Sequence, residues 1–300
     1  MIDFLKYKYI CYTLSFALLA LGGVAYVTKG FQYYVDFAGG SELRISFQQP
    51  VKIGEIRKIL GSIDLKDAVI QSLGAEEKIF LIQIGKATEE NVGQIAFDKI
   101  AQQFPENNAK LESIDWVGPE VGKDIKFNAV ISILLSLLLI MLYIAIRSKY
   151  RFAVGAVVAI AHDMLAVLAC FLILGEQISV HVLAAILTVL GYSINDTIVI
   201  FSRIKENMIK MKNASEEQIV NVSLNQTLRR TMLTSISTFL AVGSIFVLGG
   251  EALHGFSLAM LIGIVVGTYS SIYIASPVML LFKSPQTNLS QTNLSQKTNI

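Results

Sequence analysis

The chain is short of charge. Of 300 residues only 16% are Asp, Glu, Lys or Arg, while 53% are hydrophobic. A soluble domain carries roughly 25% charged residues. The deficit is uneven, because several stretches of about 20 residues hold no charge at all, the length a helix needs to cross a bilayer. Metal- and thiol-bearing residues are also scarce. Cys11 and Cys170 both lie inside apolar runs, which excludes a disulfide framework. The three histidines, His162, His181 and His254, lack ligand spacing, so no metal is expected. There is no GxxxxGK[ST] motif for a nucleotide phosphate, and no nucleophile elbow or zinc-protease motif. A conventional enzyme is therefore not expected, nor a cofactor, nor a nucleic-acid partner. Any energy source in this chain would be an ion gradient rather than ATP.

What the chain has in abundance is long apolar segments. They run over residues 10–27, 128–146, 152–174, 180–202, 231–248 and 255–282, the last long enough to be tilted or broken near Pro277. The first exceeds a typical signal h-region of 7–15 residues and reads as an uncleaved anchor. Residues 29–126 have the composition of a soluble domain. Within them Leu43, Ile45 and Phe47 alternate with Arg44 and Ser46, a half-buried strand. Ile53, Ile56, Ile59, Leu60 and Ile63 follow a helical period. Residues 67–73 and 78–84 read as strands joined by a hairpin across 74–77, 89–104 as a second amphipathic helix, and 111–117 as a last strand. The order is β-α-β-β-α-β, the ferredoxin-like pattern. The expected divisions are thus 1–28 (N-terminus and first span), 29–126 (α+β domain) and 127–283 (five spans with a loop at 203–230). The tail, 284–300, repeats TNLSQ and reads as disordered.

Orientation follows from the loops. Lys6 and Lys8 precede the first span. Arg147, Lys149 and Arg151 follow the second, and Arg203, Lys205, Lys210, Lys212, Arg229 and Arg230 lie between the fourth and fifth. The opposite loops, GEQIS and GGEALHG, hold no Lys or Arg. The positive-inside rule then puts both termini in the cytoplasm and 29–126 outside, in the periplasm if the cell has two membranes. Ser215 with Gln218 forms a capping-box pattern, which opens a helix expected to lie along the membrane surface before the fifth span.

The informative polar residues are those that hydropathy disfavours. An acid at a span's centre costs about 2.5–3.5 kcal/mol on insertion scales. Asp163 falls near the middle of the third span. Asp196 lies roughly 10 Å inside the fourth. On that helix Ser193, Asp196 and Arg203 share one side, flanked by Tyr192 and Asn195. The fifth span opens with Arg230 and carries hydroxyls at Thr231, Thr234, Ser235, Ser237 and Thr238. A carboxylate, an Arg and hydroxyls in one seam can hold water and relay protons. They can equally be structural, an ion pair locking helix register. His162 adjoins Asp163 but points about 100° away and reads as a bystander. Gly263 and Gly267 form a GxxxG pair, for which close helix packing is the default.

Five blocks carry a resemblance: VDFAGGSEL after the first span, VGPEVG before the second, AHDMLAV in the third, GYSINDTIVIFSRIKEN in the fourth and TLRRT entering the fifth. In this order they resemble the SecD/SecF family, on its SecF side, over about 1–283. The resemblance implies a six-span bundle of the resistance–nodulation–division (RND) type, one half of a twelve-span assembly with SecD. It implies association with the SecYEG channel and YajC, and use of the proton-motive force to promote preprotein translocation across the inner membrane. The family's intramembrane acid maps onto Asp196, its fifth-span arginine onto Arg230, and its HD pair onto His162 and Asp163. Family members often have Ser where this chain has Arg229, so either Arg229 or Arg230 is left as the partner of Asp196. The competing readings are a proton-coupled exporter of lipids or small molecules and an assembly scaffold without transport chemistry.

Overall fold

The computed structural model describes residues 1–73, 76–85, 91–147 and 150–282. Two compact units emerge: one of Phe31–Ser132 with Gly175–Leu183, the other of Met1–Gly30, Ile133–Leu174 and the chain from Ala184 on.

In the first unit a short helix α2 (Val35–Ala38) precedes strand β1 (Gly40–Ser46). Helix α3 (Ile53–Ser62), strands β2 (Val69–Leu73) and β3 (Ile79–Gly85), helix α4 (Val92–Gln103) and strand β4 (Lys110–Val117) follow. The sheet order is β2-β3-β1-β4 with every pairing antiparallel, Leu43 opposite Ile82 and Ile114, and Ile70 opposite Ile82. This is the split β-α-β arrangement of the ferredoxin-like fold. The alternation of apolar residues sends Leu43, Ile45, Phe80 and Ile82 to one face of the sheet. There they bury completely with Ile56 of α3 and Ala96 and Ile100 of α4. Phe47 meets Phe80 and Phe104 edge-on at 5.7 and 5.5 Å. The expected hairpin turn and the start of the second helix fall partly on 74–75 and 86–90, outside the described residues.

The glycine pair of the VDFAGGSEL block has a physical reason. Gly39 closes α2 at φ 71°, its N–H on the Val35 carbonyl at 2.8 Å, and Gly40 enters β1 at φ 142°. A Cβ on Gly40 would stand 2.2 Å from the Ile84 carbonyl oxygen. Backbone this close, in the region L residues avoid, admits only glycine.

Among the described residues six helices are long and apolar enough to cross a membrane: α1 (Lys8–Lys29, with the preceding turn from Leu5), α5 (Pro119–Arg147), α6 (Tyr150–Leu174), α7 (Val180–Lys210), α8 (Glu216–Leu248) and α9 (Glu251–Ser270) with its continuation. Their bounds correct the expected loops. Residues 119–126, expected within the α+β domain, are the first turns of α5, started by Pro119 at its first position with Glu120 beside it. The expected loop 203–230 is two helix extensions joined by a five-residue turn. The capping box at Ser215 forms, Gln218 N–H on Ser215 Oγ at 3.2 Å and Ser215 N–H on Gln218 Oε1 at 3.1 Å. But the helix it opens is continuous with the fifth span rather than a separate one along the membrane surface. The hydropathy boundary marked the end of the apolar run, whereas helical hydrogen bonding continues through polar residues that pair with each other. Asn207 Nδ2 reaches Ser223 Oγ at 2.8 Å, and Arg203 Nε reaches Gln226 Oε1 at 2.6 Å. The last span is interrupted by a π-helical turn, Ser271–Ala275, just before α10 (Ser276–Leu281). Pro277, with no N–H to donate, sits at the start of α10, where a helix tolerates it.

Helix α6 is the centre of this unit, packed against α1, α9, the π turn and α10. Its Ala156, Ala159 and Ala166 are fully buried. Helices α1, α5 and α8 keep broad apolar faces exposed, including Phe16, Leu134 and Leu240, as helices facing lipid or a partner do. The tail from 284 lies outside the described residues.

Candidate functional site

The polar residues of the membrane unit converge where α6, α7, α8 and the last span meet. The GxxxG pair makes that approach possible. A Cβ on Gly263 would stand 2.2 Å from Val189 Cγ2, and one on Gly267 would stand 3.0 Å from Ser193 Cβ and 3.6 Å from Asp163 Oδ2. The last span therefore lies with its backbone directly against α7 beside the acids.

Asp163 is fully buried and fully partnered. Its Oδ2 accepts from Ser193 Oγ at 2.5 Å and its Oδ1 lies 3.2 Å from His162 Nδ1. His162 is thus no bystander. Its Cα–Cβ bond diverges from that of Asp163, yet the imidazole swings back to the neighbouring carboxylate, a torsional freedom that backbone geometry alone does not reveal. Its ring also tilts toward Tyr269, with centroids 6.2 Å apart. Below this pair Thr197 Oγ1 and Ser271 Oγ are 2.9 Å apart.

Asp196 is also buried, 4% exposed, and its Oδ2 has no hydrogen-bond partner. The Ser235 hydroxyl of α8 lies near the carboxyl group, and Ser235 Oγ is 2.7 Å from Thr268 Oγ1 of α9. Tyr192 OH and Thr231 Oγ1 are likewise buried without partners. Spacing explains the grouping: Thr227, Thr231 and Ser235 repeat every four residues and form the buried stripe of α8. Arg229 and Arg230 fall off that stripe, with exposed side chains. Among the described residues Asp196 has no ion pair, so the pairing expected from the sequence is absent here; Arg230 acts on Asp196 only from beyond ion-pair distance. Asn195 is exposed and turned away from the seam. Arg203, expected on the side of Asp196, pairs instead with Glu206 at 2.6 Å.

The sequence reading missed the contribution of the last span. Thr268, Ser270 and Ser271 are a compact hydroxyl run in an otherwise apolar segment, the same signal that drew attention to the fifth span. Tyr269, between them, donates to the Cys11 carbonyl at 2.6 Å and meets Ser15 Oγ at 2.9 Å.

Six helices long and apolar enough to cross a membrane, a ferredoxin-like domain after the first, and two buried acids on adjacent helices define a polytopic membrane protein. The family model for the protein export membrane protein SecD/SecF, C-terminal region, matches residues 96–285, and that for the SecD/SecF GG motif matches 27–51, around Gly39 and Gly40. The chain is 43% identical over 289 residues to the protein translocase subunit SecF of Thermodesulfovibrio yellowstonii, covering 93% of this chain and 94% of that one. It is 35% identical to SecF of Pseudomonas aeruginosa over 279 residues, 93% and 90% of the two chains. The crystal structure of SecDF, a translocon-associated membrane protein from Thermus thermophilus, superposes with a TM-score of 0.83 at 34% identity, covering 93% of this chain and 38% of that longer one. The chain belongs to the SecD/SecF family of protein-export membrane proteins, on its SecF side.

Proposed function

We propose that this chain acts with SecD as an accessory subunit of Sec-dependent protein export, and that it couples the proton-motive force to preprotein translocation through Asp196. It sits in the inner membrane with both termini in the cytoplasm and the α+β domain in the periplasm, next to the SecYEG channel and YajC. The orientation rests on the basic loops, and the partners on family membership.

The observation that carries the reading is the contrast between the two acids. Asp163 has a partner on each oxygen, whereas Asp196 keeps one buried oxygen free, and Tyr192 OH on the same helix and Thr231 Oγ1 on α8 are also buried without partners. Three orphaned polar atoms in one seam are costly to leave unmet away from water. A second bundle against α7 and α8 would complete them, and a proton can reach a carboxylate oxygen that nothing else occupies. In this mechanism protonated Asp196 is held by the hydroxyls of α8, and the ionised form draws Arg230 or Arg229 inward. Each proton moved across 100 mV supplies about 2.3 kcal/mol, enough to shift a two-state helix arrangement severalfold.

The test compares wild type with Asp196→Asn, each co-purified with SecD, in membrane vesicles that translocate a preprotein. We expect the variant to assemble normally and to lose the stimulation that the proton-motive force gives. Full stimulation with an intact complex would make Asp196 a structural residue and move the coupling site to Asp163 or to the partner.

A further inference from the structure

The helix that carries Asp196 is gripped at its N-terminus by the α+β domain. Residues 175–179 link α6 to α7, and with the first turn of α7 they belong to the same compact unit as the sheet. Ile178 runs parallel beside Tyr33. Its N–H donates to the Gln32 carbonyl at 2.8 Å, and its carbonyl accepts from Tyr34 N–H at 3.0 Å. Val180, the first residue of α7, donates its N–H to Asp36 Oδ2 at 3.0 Å. Ser179 Oγ accepts from Val182 N–H at 3.2 Å. Two of the N–H groups that a helix start leaves open are therefore met, one by the preceding residue and one by a carboxylate from another element, where the helix dipole favours negative charge.

A side-chain relay runs alongside. Gln177 Nε2 donates to Gln83 Oε1 at 2.8 Å, and Gln83 Nε2 donates to the buried Glu42 at 3.2 Å. The Tyr34 phenol lies near the same carboxylate. Both strands involved, β1 and β3, are central in the sheet, so the anchor is the stiffest part of the domain. Beside it Lys126 Nζ of α5 lies 3.8 Å over the Tyr33 ring.

From Val180 the helix continues unbroken to Lys210, with Asp196 about 24 Å along it at 1.5 Å per residue. A helix end held by several directional bonds cannot rotate or slide without breaking them. We infer that Asp36 and Gln177 are positioning residues for the coupling span: they fix the N-terminal end of α7 to the sheet, so that displacement of Asp196 and displacement of the domain are one motion. The inference rests on the proton-coupled reading above for its transport consequence, but its geometric content does not. It assigns transmission to the 175–180 strap.

The test uses the chain co-purified with SecD, as wild type, as Asp36→Ala with Gln177→Ala, and as Asp36→Asn. Spin labels on Ile198 of α7 and Leu240 of α8, both exposed, report the position of α7 independently of transport. Amide exchange over 175–183 reports whether the strap has opened. The double alanine variant is expected to raise exchange there, to broaden and shift the label distances, and to lower stimulation by the proton-motive force about fivefold or more. Asp36→Asn keeps a carbonyl acceptor for Val180 N–H and is expected to retain the wild-type distances and most of the stimulation. Unchanged distances with raised exchange would overturn the positioning role whatever transport does. Shifted distances with full stimulation would overturn the transmission role. Full stimulation in Asp196→Asn would instead overturn the reading on which transmission rests, leaving the positioning role to be decided by the distances.

Discussion

Both units bury acids, and Glu42 in one and Asp196 in the other are treated differently. Glu42 lies in the sheet at 8% exposure, hydrogen-bonded by Gln83. Asp196 lies in the bundle at 4% exposure with one oxygen unmet. The same contrast holds for apolar surface. The α+β domain closes its core, with Leu43, Ile45, Phe80, Ile82 and Ile100 at zero exposure. The bundle closes only around α6 and leaves apolar faces of α1, α5 and α8 outward. A domain in water must finish its own core, because every exposed apolar face costs it stability. A bundle in lipid is under no such pressure on its outer face.

Three substitutions would break or sharpen this contrast. The largest effect belongs to the closed core. Ile82→Ala removes a fully buried side chain at the centre of the sheet and is expected to cost about 2–5 kcal/mol. Amide exchange should show the loss in β1 and β3 but not in α6. Equal loss in both units would mean they unfold together. Next is the close approach of the last span to α7. Gly263→Val drives side-chain atoms into Val189 and is expected to cost about 1–3 kcal/mol by overpacking. In detergent it should lower the thermal midpoint of the bundle while leaving β1–β4 exchange unchanged. An unaltered midpoint would mean the helices part without penalty.

The smallest effect concerns Glu42. Burial, the largest influence, raises its carboxyl above the ordinary glutamate value of 4.5, although Tyr34 and Gln83 pull it down, and nearby Asp115 and Asp36 push the same way as burial. The folded state then holds its proton to higher pH than the unfolded state does. Stability therefore falls as pH rises from about the ordinary value through the raised one. Glu42→Gln should remove that slope, making the domain slightly more stable than wild type at neutral pH and no more stable at acid pH. A midpoint difference that is independent of pH would show that Glu42 is not the titrating group. The same variant leaves Gln177 its bond to Gln83, so it separates the charge from the strap.

Much of this architecture was legible in the amino-acid sequence, because it is written in local periodicity. Runs without charge gave the six spans. Period-two alternation at Leu43, Ile45 and Phe47 and period 3.6 at Ile53–Ile63 gave the β-α-β-β-α-β order. Ser215 and Gln218 gave a helix start to the residue. These features depend on neighbours a few positions apart, and the backbone responds to them with strong preference. The candidate acids were legible for a related reason: an Asp in an apolar run stands out against its cost.

Only the tertiary structure decided which polar groups meet. Ser193 was expected beside Asp196 and bonds Asp163. Arg230 was expected against Asp196 and points outward. His162 was set aside and holds the Asp163 carboxylate. Asp36 and Gln177 carried no signal at all, one in a short helix after the first span and the other in a polar loop, yet they grip the start of α7. Such contacts join residues far apart in the chain through a single hydrogen bond each. No repeat in the sequence encodes them, and side-chain torsions and helix approach settle them only when the elements are packed.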